Sequence, residues 1–172
     1  MKLKGIVNLG FLILLVLNNA NAEVLQFQRV TDGDTFRFTG ENCRLYGIDT
    51  PESKINNRLI KKLKNCKNIS EKEMLATGKM ASRYAKRQFA GAAHYQVFVH
   101  SKGRYGRSIC SVRQSNGLDY SLEAVKNGYA VPYFYYLKPN EKITYKMAMY
   151  EAKLGKKGIW KEHPEVMECL LK

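Results

Sequence analysis

Residues 30–52 read VTDGDTFRFTGENCRLYGIDTPE, and this stretch decides the fold. Phe36 and Phe38 alternate with polar residues, which is typical of a strand buried on one face. Residues 39–42 supply turn chemistry, so we expect a turn centred near Gly40 and Glu41. Residues 43–48 then predict a returning strand, and the whole stretch predicts a single β-hairpin.

The hairpin carries four carboxylates and one arginine that could work at a site: Asp32, Asp34, Asp49, Glu52 and Arg44. Asp34 opens the first strand and Asp49 closes the second, so we expect the two side chains to lie near each other. Neighbouring carboxylates repel, and a bound cation is the simplest reason for such a pair. Their hard oxygens suit Ca²⁺ or Mg²⁺, with a backbone carbonyl, water and a substrate phosphate completing the shell. Asp-Gly-Asp is also common turn chemistry, and for Asp32 alone a turn or hydrogen-bonding role is favoured.

Three further residues could work beside such a cation: Glu52, Arg44 and Arg107. Glu52 follows Asp49 closely behind a stiff proline, and its carboxylate can accept a proton from water beside a metal. A guanidinium offers paired donors that match phosphate oxygens and stabilise the charge that builds on phosphorus. Each residue alone is more typical of a protein surface, so the hypothesis depends on their combination.

Residues 1–22 predict a cleavable signal peptide. Lys2 and Lys4 form a basic start, an apolar run covers residues 6–17, and residues 20–22 form an A-x-A cleavage signal. The mature domain would be residues 23–172, secreted or periplasmic, and we expect it to be a monomer without stable membrane association. An uncleaved anchor is the alternative, although the apolar run is short for a membrane span.

The mature chain predicts an α+β, mainly β domain: a small closed five-stranded β-barrel of the OB type with three helices. Short alternating runs predict the strands, and apolar stripes with glycine stops predict the helices. The expected strands are residues 23–30, the two hairpin strands, 94–100 and 108–113, and the expected helices are residues 71–90, 120–127 and 138–154.

The chain is strongly basic, with a formal net charge of +14. Such a charge favours nucleic acid, anionic lipid or acidic polysaccharide as partner, although solubility alone is an alternative. Residues 53–67 hold six basic residues and no acidic one. This composition is more typical of a solvated loop or short amphipathic helix than of direct substrate contact. Tyr105 and the aromatic run at residues 133–136 could stack on bases or pack the last helix onto the barrel.

Four cysteines, Cys43, Cys66, Cys110 and Cys169, follow the signal peptide. In an oxidising compartment an even number predicts two disulfides, with three possible pairings. We favour Cys43–Cys110, because both residues lie on predicted strands. That choice leaves Cys66–Cys169, which would tie the basic segment to the C-terminal tail.

In combination these motifs resemble the staphylococcal nuclease (thermonuclease) family. The resemblance is carried, in the family's order, by residues 30–35, 44–52 and 104–107, and by residues 150–153 leading to Gly158-Ile159-Trp160. It implies an OB-fold barrel of five strands with three helices. The implied activity is Ca²⁺-dependent hydrolysis of DNA and RNA with little sequence preference, which leaves 3′-phosphate ends.

The resemblance also implies three groups of site residues: Ca²⁺ ligands, groups that handle the phosphate and the proton, and nucleic-acid contacts. They are, in that order, Asp34, Asp49 and the Thr50 carbonyl; Arg44, Arg107 and Glu52; and Arg104, Tyr105 and Tyr136. Asp32 would help to shape the metal site without binding the ion.

The long basic segment and the four cysteines depart from the staphylococcal enzyme, and a tethered basic loop could alter substrate choice. The main alternative function is a non-catalytic nucleic-acid-binding OB module, which predicts binding without cleavage. A cationic protein acting on anionic envelopes is a second alternative, and it predicts lipid binding that survives loss of Glu52.

Overall fold

The computed structural model describes residues 25–90, 95–103 and 106–172. The predicted signal peptide, Arg104 and Tyr105 lie outside these ranges. The strands are β1 (Phe27–Asp32), β2 (Thr35–Phe38), β3 (Glu41–Leu45), β4 (Ile48–Asp49), β5 (Tyr95–Lys102), β6 (Ser108–Gln114) and β7 (Val131–Pro132). The helices are α1 (Asn57–Asn65), α2 (Glu71–Phe89), α3 (Tyr120–Lys126), α4 (Pro139–Leu154) and α5 (Pro164–Leu170), with a 3-10 turn at Gly158–Lys161.

Strands β2 and β3 form the predicted hairpin. They pair antiparallel with Thr35 opposite Arg44 and Phe38 opposite Glu41. The turn is therefore only Thr39-Gly40, and residues 41–42, expected in the turn, belong to the strand. Gly40 has a φ of +75°, which glycine adopts without strain.

Asp49 does not lie on this hairpin, so the expectation of one hairpin carrying every acidic residue is wrong. The chain leaves β3 at Leu45 and enters β4, which pairs with β7 in a separate two-stranded sheet. Gly47 makes the turn between them: its φ is +74°, and a Cβ there would meet the Leu137 Cδ2 atom at 2.5 Å. Both the backbone conformation and the close packing require glycine at this position.

The main sheet has the strand order β1-β2-β3-β6-β5, with β3 and β6 parallel. Its two edge strands meet through side chains: the Phe27 N–H donates to the Tyr95 hydroxyl, and the two rings lie 5.9 Å apart. Within the described residues no backbone pairing joins β1 to β5. The closed barrel expected from the sequence is therefore an open five-stranded sheet in this part of the chain.

The described residues form five α-helices rather than three. The expected helices are α2, α3 and α4, and their bounds differ from the prediction by one residue at most. Helix α1 lies within the basic segment and begins after Asn56, whose side chain accepts the Leu59 N–H at 2.8 Å. Helix α5 was missed; it begins with Pro164, a residue suited to a first helical turn. None of the described helices is both long and apolar enough to cross a membrane.

Two hydrophobic clusters hold these elements together. The main core joins the sheet to helices α2, α3 and α4, and Phe36, Phe38 and Trp160 are buried in it. A smaller cluster joins α1, α2 and α5 through Leu59, Cys66, Ile69, Met74, Val166 and Cys169. Because helix α1 buries little else, this second cluster determines where the basic segment lies.

The disulfides pair as the strand placement predicts, Cys43 with Cys110 and Cys66 with Cys169. The first joins the parallel neighbours β3 and β6. The second joins the C-terminal end of α1 to α5, so that the helix is covalently anchored at the end of its last turn.

Candidate active site

Arg44 lies between the two carboxylates that the sequence placed near each other. Its Nη1 atom is 2.7 Å from Asp34 Oδ2, and its Nη2 atom is 2.7 Å from Asp49 Oδ1. The side chains of all three residues are buried. Asp34 and Asp49 therefore do converge, as expected, but a protein cation lies between them. Arg44, and not only a bound metal cation, can therefore offset the repulsion between the two carboxylates.

The hairpin positions this cluster. Arg44 is opposite Thr35 in the β2–β3 ladder, and the Asp34 carbonyl accepts the Leu45 N–H at 2.8 Å. The Thr35 hydroxyl donates to Asp34 Oδ1 at 2.9 Å. Burial alone would raise the pKa of Asp34, but Arg44 and nearby cations outweigh burial and hold this pKa below its usual value. Burial likewise works against the charge on Arg44, yet Asp34 and Asp49 raise its pKa, so the guanidinium stays charged.

Lys62 is a second protein cation in the cluster. Its Nζ atom is 2.9 Å from Asp49 Oδ2 and 3.2 Å from Glu52 Oε1, and it donates to the Thr50 carbonyl at 2.7 Å. Burial opposes its charge, but Asp49 and Glu52 raise its pKa. The sequence analysis missed this residue, because it was one of six similar basic residues in residues 53–67. The only signal in the sequence was the helical spacing that puts Arg58 and Lys62 on one face.

Glu52 is 3 % exposed, and one hydrogen bond and two ion pairs hold its carboxylate. Besides Lys62, Asn56 Nδ2 donates to its Oε2 atom at 3.1 Å, and Arg58 Nε lies 3.9 Å from Oε1. Helix α2 supports this segment from behind, because a Cβ at Gly78 would lie only 2.2 Å from the Glu52 carbonyl oxygen. The Glu52 carboxylate is therefore held at a fixed position beside these cations.

The three expected metal ligands lie together. Asp34, Asp49 and the Thr50 carbonyl all offer hard oxygen atoms, and Thr50 is 2 % exposed. This donor set fits Ca²⁺ in chemical type. Asp49 Oδ2 and the Thr50 carbonyl both contact Lys62, however, so two of these oxygens already have a cationic partner.

Asp32 makes two hydrogen bonds near the start of the hairpin. Its Oδ1 atom accepts the Gly33 N–H at 2.9 Å and the Ser82 hydroxyl at 3.2 Å, which ties β1 to α2. Burial, followed by the charge of Asp34, raises the pKa of Asp32 to about 6. These contacts are of the turn and hydrogen-bonding kind expected for Asp32 alone, and its role in shaping a metal site stays a prediction.

The cluster opens into a cavity of about 630 Å³. Arg44, Asp49, Lys62, Arg107, Tyr133, Tyr135 and Tyr136 are among its lining residues. Arg107 also lines a second cavity of about 520 Å³, which Glu52 reaches from the other side. Burial, followed by the positive charges of Arg58 and Arg44, lowers the pKa of Arg107. Arg107 and Glu52 thus line one opening, together with Arg58 and Asp32.

The aromatic run at residues 133–136 lies at the mouth of this cavity. Tyr135 is 81 % exposed and Tyr136 is 45 % exposed, whereas Phe134 packs against the main core. Tyr136 is held in place by its backbone carbonyl, which accepts the Tyr46 hydroxyl at 2.6 Å. Exposed rings beside the cluster favour base stacking over the alternative of internal packing.

Residues 42–162 match the protein family described as Staphylococcal nuclease homologue. The chain is 33% identical over 149 residues to Endonuclease YhcR of Bacillus subtilis (strain 168), an alignment that covers 81% of this chain and 12% of that protein. It is 29% identical over 151 residues to Thermonuclease of Staphylococcus hyicus, which covers 84% of this chain and 79% of that protein. The chain thus corresponds to a small part of the first relative and to most of the second. The family match contains Arg44, Asp49, Thr50, Glu52 and Arg107, and it begins after Asp34.

Proposed function

This chain belongs to the staphylococcal nuclease family, and from that premise we propose that it is an exported, Ca²⁺-dependent nuclease. It would hydrolyse phosphodiester bonds of DNA and RNA with little sequence specificity and leave 3′-phosphate ends. Nucleic acid is also the partner that its net charge of +14 favours.

One observation supports this proposal: Arg44 and Asp49, from a buried cluster that also holds Asp34 and Glu52, lie at the base of a cavity lined by cations and tyrosines, and Glu52 lines a second cavity. Cations around an opening attract a phosphate backbone, and exposed tyrosine rings hold bases without regard to sequence. Carboxylates and an arginine at the base then meet the phosphate itself. A basic protein that only coats anionic envelopes needs no such buried cluster.

Asp34, Asp49 and the Thr50 carbonyl would hold Ca²⁺, which when bound supplies positive charge that polarises the phosphate. Arg44 and Arg107 would donate to the non-bridging phosphate oxygens, where negative charge builds during the reaction. A guanidinium has five N–H donors, so the two ion pairs of Arg44 leave donors for the phosphate.

Glu52 would act as the general base. As the oxygen of an attacking water bonds to phosphorus, the proton of that water would pass to the Glu52 carboxylate. The bond between phosphorus and the 5′ oxygen then breaks, the 5′ oxygen takes a proton from solvent water as it leaves, and the phosphate stays on the 3′ end. Asn56 would keep the carboxylate aimed, because it donates to Oε2 and leaves Oε1 toward the cations.

Three finer features belong to the same proposal. We expect the domain to have the OB-type strand arrangement of the family, and the contact between Phe27 and Tyr95 brings the two edge strands of the open sheet together. We expect export through cleavage after residue 22, and two disulfides suit an oxidising compartment. N-terminal sequencing of secreted or periplasmic material should give Glu23; a start at Met1 would contradict cleavage. We also expect the mature chain to be a monomer.

The test of the function uses the oxidised mature chain with single-stranded DNA, duplex DNA and RNA, with Ca²⁺ and with a chelator. Cleavage that needs Ca²⁺ and ends in 3′-phosphates is expected. Glu52→Gln should lower turnover at least about a hundredfold while DNA binding persists, because the base is lost but the cations remain. Glu162→Gln is the matched control, since Glu162 is exposed and outside the cluster, and its turnover should equal that of the wild type.

The alternative of a non-catalytic nucleic-acid-binding module is favoured by one observation, namely that Lys62 already contacts Asp49, Thr50 and Glu52. It predicts tight binding of single-stranded DNA without cleavage under any divalent ion. That result would replace the proposed nuclease by the binding module. An unchanged rate in Glu52→Gln would remove Glu52 from the mechanism but leave the nuclease assignment intact.

A further inference from the structure

We propose that Lys62 is an internal competitor of the divalent cation: its ammonium group occupies the carboxylate and carbonyl site, and a metal ion must displace it. This inference deepens the proposed function and rests on it, because the competition concerns the same ligand set. It assigns a regulatory role to the basic segment, residues 53–67. The sequence had suggested either direct substrate contact or a solvent-exposed loop or helix for this segment.

The contacts of Lys62 are those of a bound cation. Its Nζ atom lies within 3.2 Å of one carboxylate oxygen of Asp49, one of Glu52 and the carbonyl oxygen of Thr50. The contact with Thr50 is a hydrogen bond and the contacts with Asp49 and Glu52 are ion pairs, so three oxygens surround the ammonium group. Two of the three oxygens belong to the expected Ca²⁺ ligands. Lys62 and the metal ion cannot both contact them closely without strong mutual repulsion.

A helix, and not a loop, positions Lys62 for this contact. Lys62 projects from helix α1, whose start is capped by Asn56 and whose residue Leu59 is fully buried. The Cys66–Cys169 disulfide anchors the other end of the helix to α5. With both ends held, the ammonium is presented to the site at a high local concentration.

Displacement of Lys62 is nevertheless possible within the same fold. The side chain of Lys62 lines the 630 Å³ cavity, so rotation about its own bonds can carry the ammonium away from Asp49 without movement of α1. A substrate phosphate entering that cavity would offer the displaced ammonium a new partner. Cation binding and substrate binding should therefore support each other.

The test measures Ca²⁺ binding directly, by isothermal titration calorimetry of the oxidised mature chain without nucleic acid. Lys62→Met keeps the length of the side chain and removes the charge, and we expect it to bind Ca²⁺ at least about tenfold more tightly than the wild type. Lys64→Met is the matched control, because Lys64 is exposed on the same helix and the same charge is removed. Its Ca²⁺ affinity should stay within about threefold of the wild type, since exposed charges are screened.

Each outcome decides between the inferences. Tighter binding in Lys62→Met alone supports the competition. Equal or weaker binding in a folded Lys62→Met would overturn the competition and leave the proposed Ca²⁺-dependent nuclease standing. Equal tightening in Lys64→Met would also overturn it, because the effect would then be one of total charge. Absence of Ca²⁺ binding in the wild type and in Lys62→Met would overturn the proposed cofactor together with the competition.

A second measurement needs no substitution and so does not depend on how the variant folds. Amine-reactive labelling followed by peptide mass spectrometry should find Lys62 slow to react without Ca²⁺ and at least about fivefold faster with saturating Ca²⁺, because the ammonium is then released. Lys64 should react at one rate in both conditions. Unchanged labelling of Lys62 at saturating Ca²⁺ would overturn displacement.

Discussion

Gly78→Ala is the substitution for which local propensity and tertiary packing predict opposite results. Gly78 lies in the middle of helix α2, where replacement of glycine by alanine ordinarily stabilises a helix by about 1 kcal/mol. In this fold the added Cβ would lie 2.2 Å from the carbonyl oxygen of Glu52 and 2.6 Å from the Ser53 nitrogen. Both atoms belong to the backbone, so no side-chain rotation relieves the contact.

The size of the effect follows from these distances. Ordinary contact begins at 3.4 Å, so the Glu52 backbone must move by about 1 Å relative to α2. Overpacking of this kind costs about 1–3 kcal/mol, and the gain in helix propensity offsets about 1 kcal/mol of it. We therefore expect a net loss of about 1–2 kcal/mol in the free energy of unfolding. Displacement of Glu52, the proposed general base, by about 1 Å should lower turnover by about a hundredfold.

Urea-induced unfolding and initial rates on single-stranded DNA measure the two effects separately. Ala76→Gly is the matched control on the same helix: Ala76 is exposed, so the change should cost about 1 kcal/mol of stability and leave turnover unchanged. If Gly78→Ala were more stable than the wild type and fully active, the close approach of α2 to the Glu52 segment would be refuted.

Three further predictions test the ion pairs of Arg44, the Cys66–Cys169 disulfide and the phenol group of Tyr84. Arg44→Met should lower the free energy of unfolding by about 3–5 kcal/mol in a urea titration, because it leaves two buried carboxylates without their shared partner. Arg44→Lys keeps the charge and should lose less. An Arg44→Met variant as stable as the wild type would contradict the prediction. Replacing both Cys66 and Cys169 by serine should cost about 2–4 kcal/mol in non-reducing urea unfolding, since the bridge closes a loop of 103 residues; no change in the midpoint would contradict this. Burial, followed by the nearby Glu123 carboxylate, raises the pKa of Tyr84 to about 12. The folded protein therefore keeps a proton that the unfolded chain releases above its pKa of 10.0. For this reason the free energy of unfolding should fall as the pH rises from about 10 to about 12. Tyr84→Phe should reduce that alkaline loss by up to about 2 kcal/mol between about pH 9 and pH 11.5, and equal slopes for both proteins would refute the contribution.

The hairpin shows which features of the site a sequence can predict. The alternation of Phe36 and Phe38 and the glycine at residue 40 are local signals, and they identified β2 and β3 correctly. The exact turn was misplaced, because Glu41 and Asn42 have turn-like composition but pair within the ladder. The favoured disulfide, Cys43–Cys110, followed from the strand assignments, since it needed only two neighbouring strands.

Other features had no local signal. Helix α5 is short and follows a 3-10 turn, and its burial of Val166 and Cys169 depends on α1 and α2 lying beside it. The pairing of β4 with β7 joins residues 48–49 to residues 131–132. Each strand is only two residues long, so neither segment has a local pattern that predicts the pairing. Asp49 therefore reaches the site from a different sheet than the one the pattern predicted.

Lys62 shows most clearly the difference between what the sequence determines and what the tertiary structure decides. The sequence by itself determined which chemical groups are present near Asp34, Asp49 and Glu52, because motif order and strand alternation are written in neighbouring residues. Only the tertiary structure decided that two protein cations, Arg44 and Lys62, neutralise those carboxylates. The physical reason is that the position of Lys62 depends on how helix α1 docks, and that docking depends on apolar contacts and a disulfide to residues about a hundred positions away.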